Sequence, residues 1–333
     1  MGGDSTILRH YLAPLRTLLA PADVTDLVIN QPGEIAVEAS GVWRWEAASE
    51  LTPEWLATLA TAAAAFTAQD VNAETPICST TLPGGERCQI VLPPAAEQIS
   101  LTIRRPAAVD LSLADLDHQG LFQGLTPANT GAREVEAELI ALHEAGAWRA
   151  FLTLAVEAKR NILISGATGS GKTTLAKALV GLIPSNERLL TIEDTRELIT
   201  PQRNAVHLLY AKDGQGLAKV DAKALLESAL RMRPDRILLQ ELRDEAAFTY
   251  LRSANSGHPG SITTIHADSA RLAFEQLALL VKASQAGRDL RRAEIDHLLR
   301  ILVDVVVQTR RVEGRFRVTE VWYDPMVRRT LAA

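Results

Sequence analysis

No apolar run in the 333-residue sequence approaches the roughly 18 residues that a membrane-crossing helix needs. The longest candidate, WLATLATAAAAF at 55–66, is short and interrupted by threonine, and reads as an alanine-rich helix. The opening MGGDSTILRHY lacks the basic-then-apolar pattern of a secretory signal. Cysteine is scarce: Cys78 and Cys88 flank LPGGE, and no CxxC pair offers a zinc site. A chain of this length needs no disulfide staple, so two free thiols in a reducing cytosol are expected. Positive charge is not in excess. Lys and Arg number 35 against 40 Asp and Glu, a net charge of −5 that argues against nucleic acid as a direct partner. No basic–aromatic stacking platform for single strands stands out, and no repeat or low-complexity tract is visible. With 47% hydrophobic and 23% charged residues, the chain is ordinary globular material, long enough for two domains.

The texture changes along the chain. Alternating segments at 26–30, 34–39 and 41–47 are split by QPG and SG, and a helix follows over about 53–67. PICSTTL and RCQIVLPP flank Gly84 and Gly85, a hairpin signal, and ISLTIRRP at 99–106 is a further strand stopped by Pro106. Clustered strands of this kind predict a smaller α+β domain over residues 1–118. Residues 119–145 begin rich in Gly, Thr and small polar residues and read as a linker, with a helix at the far end, AELIALHEAG. From 146 to 333 strands and helices alternate, which predicts a parallel-rich sheet covered on both faces.

NILISGATGSGKTTLAKAL holds the pattern GxxxxGK[ST], with an apolar strand before it and a helix after it. In a phosphate loop of this kind the backbone N–H groups of Gly166, Ala167, Thr168, Gly169, Ser170, Gly171, Lys172, Thr173 and Thr174 wind around phosphate oxygens. The helix N-terminus adds a favourable dipole. Lys172 reaches the β- and γ-phosphates, and the Thr173 hydroxyl is a ligand for magnesium.

Three further segments end on chemistry-bearing residues. LLTIEDTREL puts Glu193 and Asp194 at a strand end, where acids orient water or hold magnesium-bound water; an acidic helix cap is the plainer alternative. RILLQELRD ends a strand on Gln240 and Glu241. Glu241 can bind magnesium through water or orient the attacking water, or simply pair with Arg243. SGHPGSITTIHAD supplies His258 in a Gly-Pro loop and His266 at a strand end, the place for a γ-phosphate sensor. No third His or Cys lies nearby to complete a metal site.

In this order, GATGSGKT, TIEDTREL, LRMRPDRILLQELRD and SGHPGSITTIHAD resemble the secretion-ATPase superfamily, above all the hexameric traffic ATPases of type IV secretion and conjugation. The resemblance reaches back into LPGGERCQIVLPPAAEQISLTIRRP and covers most of the chain. It implies a RecA-like P-loop ATPase domain behind a smaller α+β N-terminal domain, with ATP and Mg2+ as cofactors. It implies a homo-hexamer working on inner-membrane components and on protein or nucleoprotein cargo, from the cytoplasmic face of the inner membrane, without sequence-specific nucleic-acid binding. Glu193 and Glu241 are the implied catalytic acids, and His266 a γ-phosphate contact. Arg196 and His258 are further nucleotide contacts, and Arg104, favoured over Arg105, is the arginine by which the N-terminal domain reaches the nucleotide. The family has Gly where this chain has Gln240, whose side chain can crowd the site. Related type II secretion and type IV pilus motors generally carry four zinc-binding cysteines, absent here. A small-molecule P-loop kinase, a weakly hydrolysing ATP-binding scaffold and a nucleic-acid translocase are the rival readings.

Overall fold

A computed structural model of the protein describes residues 5–106, 112–124, 133–212, 215–244, 246–255 and 257–325. The N-terminal body opens with helix α1 (Ser5–Leu19) and strands β1 (Val24–Ile29), β2 (Gly33–Ala39) and β3 (Val42–Ala48). Helix α2 (Pro53–Phe66) follows, then β4 (Ile77–Thr81), β5 (Arg87–Val91) and β6 (Ser100–Arg104). All six strands are antiparallel, in the order β3-β2-β1-β6-β5-β4. Strand alternation divides them into two faces. Leu27, Ile29, Ile35, Val37, Cys88, Ile90, Leu101 and Ile103 pack with Leu8, Leu12 and Leu15 of α1 and with α2. Burying each such large side chain stabilises by about 1.5–3 kcal/mol. The opposite face carries Asp26, Asn30, Glu38, Gln89 and Thr102 beside Val28 and Val91, and all are buried, because the second body lies against it.

After α3 (Leu113–His118), residues 125–132 of the expected linker lie outside the described residues. Helix α4 (Arg133–Glu144), also assigned to the linker on sequence, is bound into the second body. Its Leu139 is fully buried with Phe151 of α5 (Trp148–Glu157), and Arg160 holds Glu136 at 2.6 Å. The chain then runs through β7 (Ile162–Ser165), α6 (Lys172–Val180), β8 (Leu189–Glu193), β9 (Ala205–Leu209), α7 (Ala222–Ala229) and β10 (Arg236–Leu239). It closes with α8 (Ala246–Asn255), β11 (Ile262–Ile265), α9 (Ala270–Ala283), α10 (Arg292–Leu302), β12 (Val305–Val312) and β13 (Arg315–Tyr323). Two sheets, β10-β8-β9 and β11-β7-β12-β13, meet at a single parallel bridge between Glu241 and Thr264. Every pairing is parallel except the β12–β13 hairpin.

The bodies are joined by polar contacts, by backbone and by Val91, Ala95 and Ala96, which pack into the core of the second body. Arg188, fully buried, donates from Nη1 to Asn30 (2.7 Å) and from Nε to the Met232 carbonyl (2.8 Å). Arg233 forks onto Glu38, with Nε 2.8 Å from Oε2, and Gln89 donates to Ser228 at 2.8 Å. Ala96 forms an antiparallel bridge with Leu208, so a piece of the N-terminal body extends the sheet beyond β9.

Candidate active site

The phosphate loop leaves β7 at Ser165 and enters α6 at Lys172. Gly166 has no room for a side chain: a Cβ there would lie 2.5 Å from Thr309 Oγ1 and 2.6 Å from the Thr309 carbonyl. Gly171 has φ 93°, a left-handed conformation that glycine adopts without strain. No side chain caps α6, which leaves the N–H groups of its first turn for an anion. Thr309 of β12 braces the loop. Its hydroxyl donates to the Ser165 carbonyl at 3.0 Å and stands 2.9 Å from Ser170 Oγ.

Lys172 is buried, and its ammonium donates to the Gly166 and Ala167 carbonyls at 2.8 and 3.0 Å. Its third partner is His266 Nδ1 at 3.2 Å. An ammonium has donors only, so Nδ1 accepts and the ring proton sits on Nε2. Nε2 in turn lies 3.0 Å from Glu241 Oε1. A line of three functional groups therefore crosses neighbouring strands β7, β11 and β10 at their C-terminal ends, where open α/β sheets bind ligands. Burial pushes the Lys172 ammonium below its ordinary pKa, and the Glu241 charge opposes that shift.

The other Glu241 oxygen takes a 2.6 Å bond from Arg243, so the plain pairing is present too. Arg243 also reaches Asp194 at 3.1 Å, and Lys212 binds the same Asp194 oxygen at 2.6 Å. Its hydrogen bond to Glu241 leads the causes that raise the Arg243 pKa. Gln240 turns toward β8, not toward the phosphate loop: its Oε1 accepts the Asp194 N–H at 3.3 Å. The structure thus removes the crowding expected from this residue.

Glu193 differs from Glu241. It is fully buried, and one oxygen accepts N–H bonds from Glu197 and Leu198, each 2.8 Å. The other accepts from Thr191 Oγ1 at 2.8 Å. Held by three donors in this way, the carboxylate anchors its own turn. Arg196 lies 3.7 Å from Glu193 and 3.3 Å from Glu97 of the N-terminal body.

Two expected site residues stand elsewhere. His258 precedes β11, and its Nδ1–H donates to the Pro234 carbonyl (3.1 Å), ahead of β10. That is the N-terminal end of the strands, opposite Lys172. Arg104 ends β6 and lines a cavity of about 420 Å³ between the bodies with Asp26, Arg87, Arg231 and Arg233. This cavity also lies on the N-terminal side of β10, so the chain's own phosphate loop and Arg104 are not brought together. Arg105 turns back to the Leu19 and Pro21 carbonyls, at 3.1 and 2.6 Å. Sequence reasoning missed Thr309 and Lys212, which act from distant segments with no motif around them.

A parallel-rich α/β sheet with this loop, lysine and strand-end carboxylate defines a P-loop ATPase with a RecA-like core. Residues 13–313 match the family of type II/IV secretion system proteins. The type IV secretion system protein VirB11 of Bartonella quintana is 49% identical, over 98% of this chain and 95% of the relative. VirB11 of Brucella suis biovar 1 is 45% identical, over 98% and 92%. The crystal structure of the VirB11 ATPase from the Brucella suis type IV secretion system, in complex with sulphate, superposes with a TM-score of 0.93 at 44% identity, covering 98% of this chain and 97% of that one. The chain belongs to the type II/IV secretion system protein family, on the side of the type IV secretion ATPases.

Proposed function

We propose that the protein is the ring-forming ATPase of a type IV secretion or conjugation machine, working as a homo-hexamer at the cytoplasmic face of the inner membrane. Its cargo on this reading is protein or nucleoprotein. No helix among the described residues is long and apolar enough to cross a membrane, which fits attachment through membrane partners. The observation that carries the reading is the separation described above. Lys172, His266 and Glu241 are assembled within one chain, while Arg104, with Arg87 and Arg231, faces outward from the far end of the same sheet. Head-to-tail packing in a ring would bring that arginine surface to the phosphate loop of the next subunit.

In this scheme Lys172 leaves its loop carbonyls for the β- and γ-phosphates. Glu241 orients the water that attacks the γ-phosphorus and takes its proton as the bond to ADP breaks. His266 keeps the carboxylate registered to the lysine, and Arg196 borders the site. Thr173 and Glu241 present the hard oxygen donors that suit magnesium; the ion would neutralise phosphate charge there. Arg104 of a neighbour supplies a planar guanidinium for the γ-phosphate, and loss of that phosphate frees its domain to move.

The test is complementation. Arg104→Ala and Lys172→Ala are each expected to hydrolyse ATP negligibly. After dissociation and joint reassembly, about one site in four joins an intact loop to an intact neighbouring arginine, so about a quarter of wild-type activity should return. No recovery from mixed rings of normal size would refute action between subunits.

A further inference from the structure

The β12–β13 ribbon carries a pair of side chains that the hydrolytic geometry does not use. Alternation places Thr309 and Arg311 on one face of β12, and their register partners Val318 and Phe316 share that face on β13. Thr309 fixes the face against the phosphate loop through Ser165 and Ser170. Phe316 continues it along the loop: its Cγ lies 2.9 Å from where a Cβ on Gly171 would sit. Yet Phe316 is 56% exposed, so Gly171 covers only part of the ring. The Arg311 guanidinium stands 5.8 Å from the ring centroid and is tethered by Nε to the Gly314 carbonyl at 3.2 Å. Glu313 and Gly314 both have positive φ, 49° and 76°, the tight two-residue turn that matches strand twist.

An exposed large apolar ring on a secreted or intracellular protein alike is ordinarily a minor cost, and a single one needs no explanation. This one is placed where the loop becomes the helix. Phosphates held on the N–H groups of that turn leave the sugar and base to emerge beside it. The neighbouring guanidinium adds a second planar, cationic surface suited to a nucleobase.

We propose that Phe316, flanked by Arg311, is the platform on which the base of the bound nucleotide stacks. Base recognition at this site is then by the π-face and tolerant of the base edge, since every base has such a face.

The experiment compares ATP with inorganic tripolyphosphate, which has the phosphates but no base, by calorimetric binding to the full chain. Phe316→Ala should weaken ATP about tenfold, the loss of one base–aromatic stack, and leave tripolyphosphate unchanged. Phe316→Leu keeps an apolar contact on Gly171 but no π-face, and should lose as much; Phe316→Trp should restore ATP binding. Equal weakening of both ligands would make Phe316 a prop for the loop and overturn the proposal. So would full rescue by Leu, or no change with either ligand.

Discussion

Arg236 opens β10 with its side chain wholly buried, and four bonds hold it there. Nε and Nη2 fork onto Glu187 at 2.7 and 3.0 Å, and Nη1 donates to the Val156 and Gly260 carbonyls at 2.9 and 3.3 Å. One guanidinium thus ties together the segment before β8, the end of α5 and the segment before β11. Replacing Glu187 by Ala leaves that charge buried without its counter-ion. Breaking a buried pair in this way costs about 3–5 kcal/mol. At about 2–4 °C per kcal/mol for a domain of this size, the unfolding midpoint of the C-terminal body should fall by roughly 6–20 °C. Scanning calorimetry of the full chain, with each transition assigned by adding ATP, reads this directly. Glu187→Gln keeps the shape and one acceptor and should lose less. The double change Glu187→Leu with Arg236→Met should recover most of the loss, because hydrophobic replacement of a buried pair is often neutral. A fall below about 2 °C for Glu187→Ala would mean that water solvates Arg236 in place of the carboxylate, and the reasoning would fail.

Gly166→Ala should keep the fold by circular dichroism but weaken ATP binding at least about tenfold, since the added methyl meets the Thr309 carbonyl and forces the loop outward; unaltered affinity by calorimetry would contradict the tight approach. His207 should make stability pH-dependent. Burial, then the Arg196 charge, pushes its pKa from 6.5 down to about 4. Neutral in the folded chain, it takes a proton more readily when unfolded, so its contribution is intact above about 6.5 and is lost as pH falls toward 4. Urea midpoints should decline across that window, and His207→Asn should flatten the decline; parallel curves would count against it.

The phosphate loop was legible because everything it needs is local: an apolar strand, glycines where the backbone must turn or approach closely, and a helix start. The placement of Glu241 and His266 at the C-terminal ends of parallel strands was legible for a similar reason. His258 and His266 look alike in sequence, one four residues before a strand and one just after it, whereas the strand carries them to opposite ends. Glu193 was recognised as a strand-end acid, but the donors that immobilise it are backbone groups of Glu197 and Leu198, which no side-chain pattern records. Arg104 was placed by resemblance, and only the docking of one body on the other decides which way it faces. Helix α4 read as linker because its flank is rich in Gly and Thr, although Val135, Leu139 and Leu142 are spaced to bury one side.

The single bridge at Glu241 and Thr264 bears on how motion can enter this molecule. On one side of that line lie β9, β8 and β10, with the N-terminal body fastened to β9 through Leu209 N–H on the Ala95 carbonyl (2.8 Å) and Glu97 N–H on the His207 carbonyl (3.1 Å). On the other side lie β11, β7 and the phosphate loop. Across it run the Leu242 N–H on the Thr264 carbonyl and the Thr264 hydroxyl on the Gln240 carbonyl, each 2.9 Å. Lys172 stands on one bank and Glu241 on the other, with His266 spanning the gap. Any ligand that redraws that short span acts on the least-stitched line of the sheet, and the N-terminal body, locked to the farther bank, would travel as the long arm of the displacement.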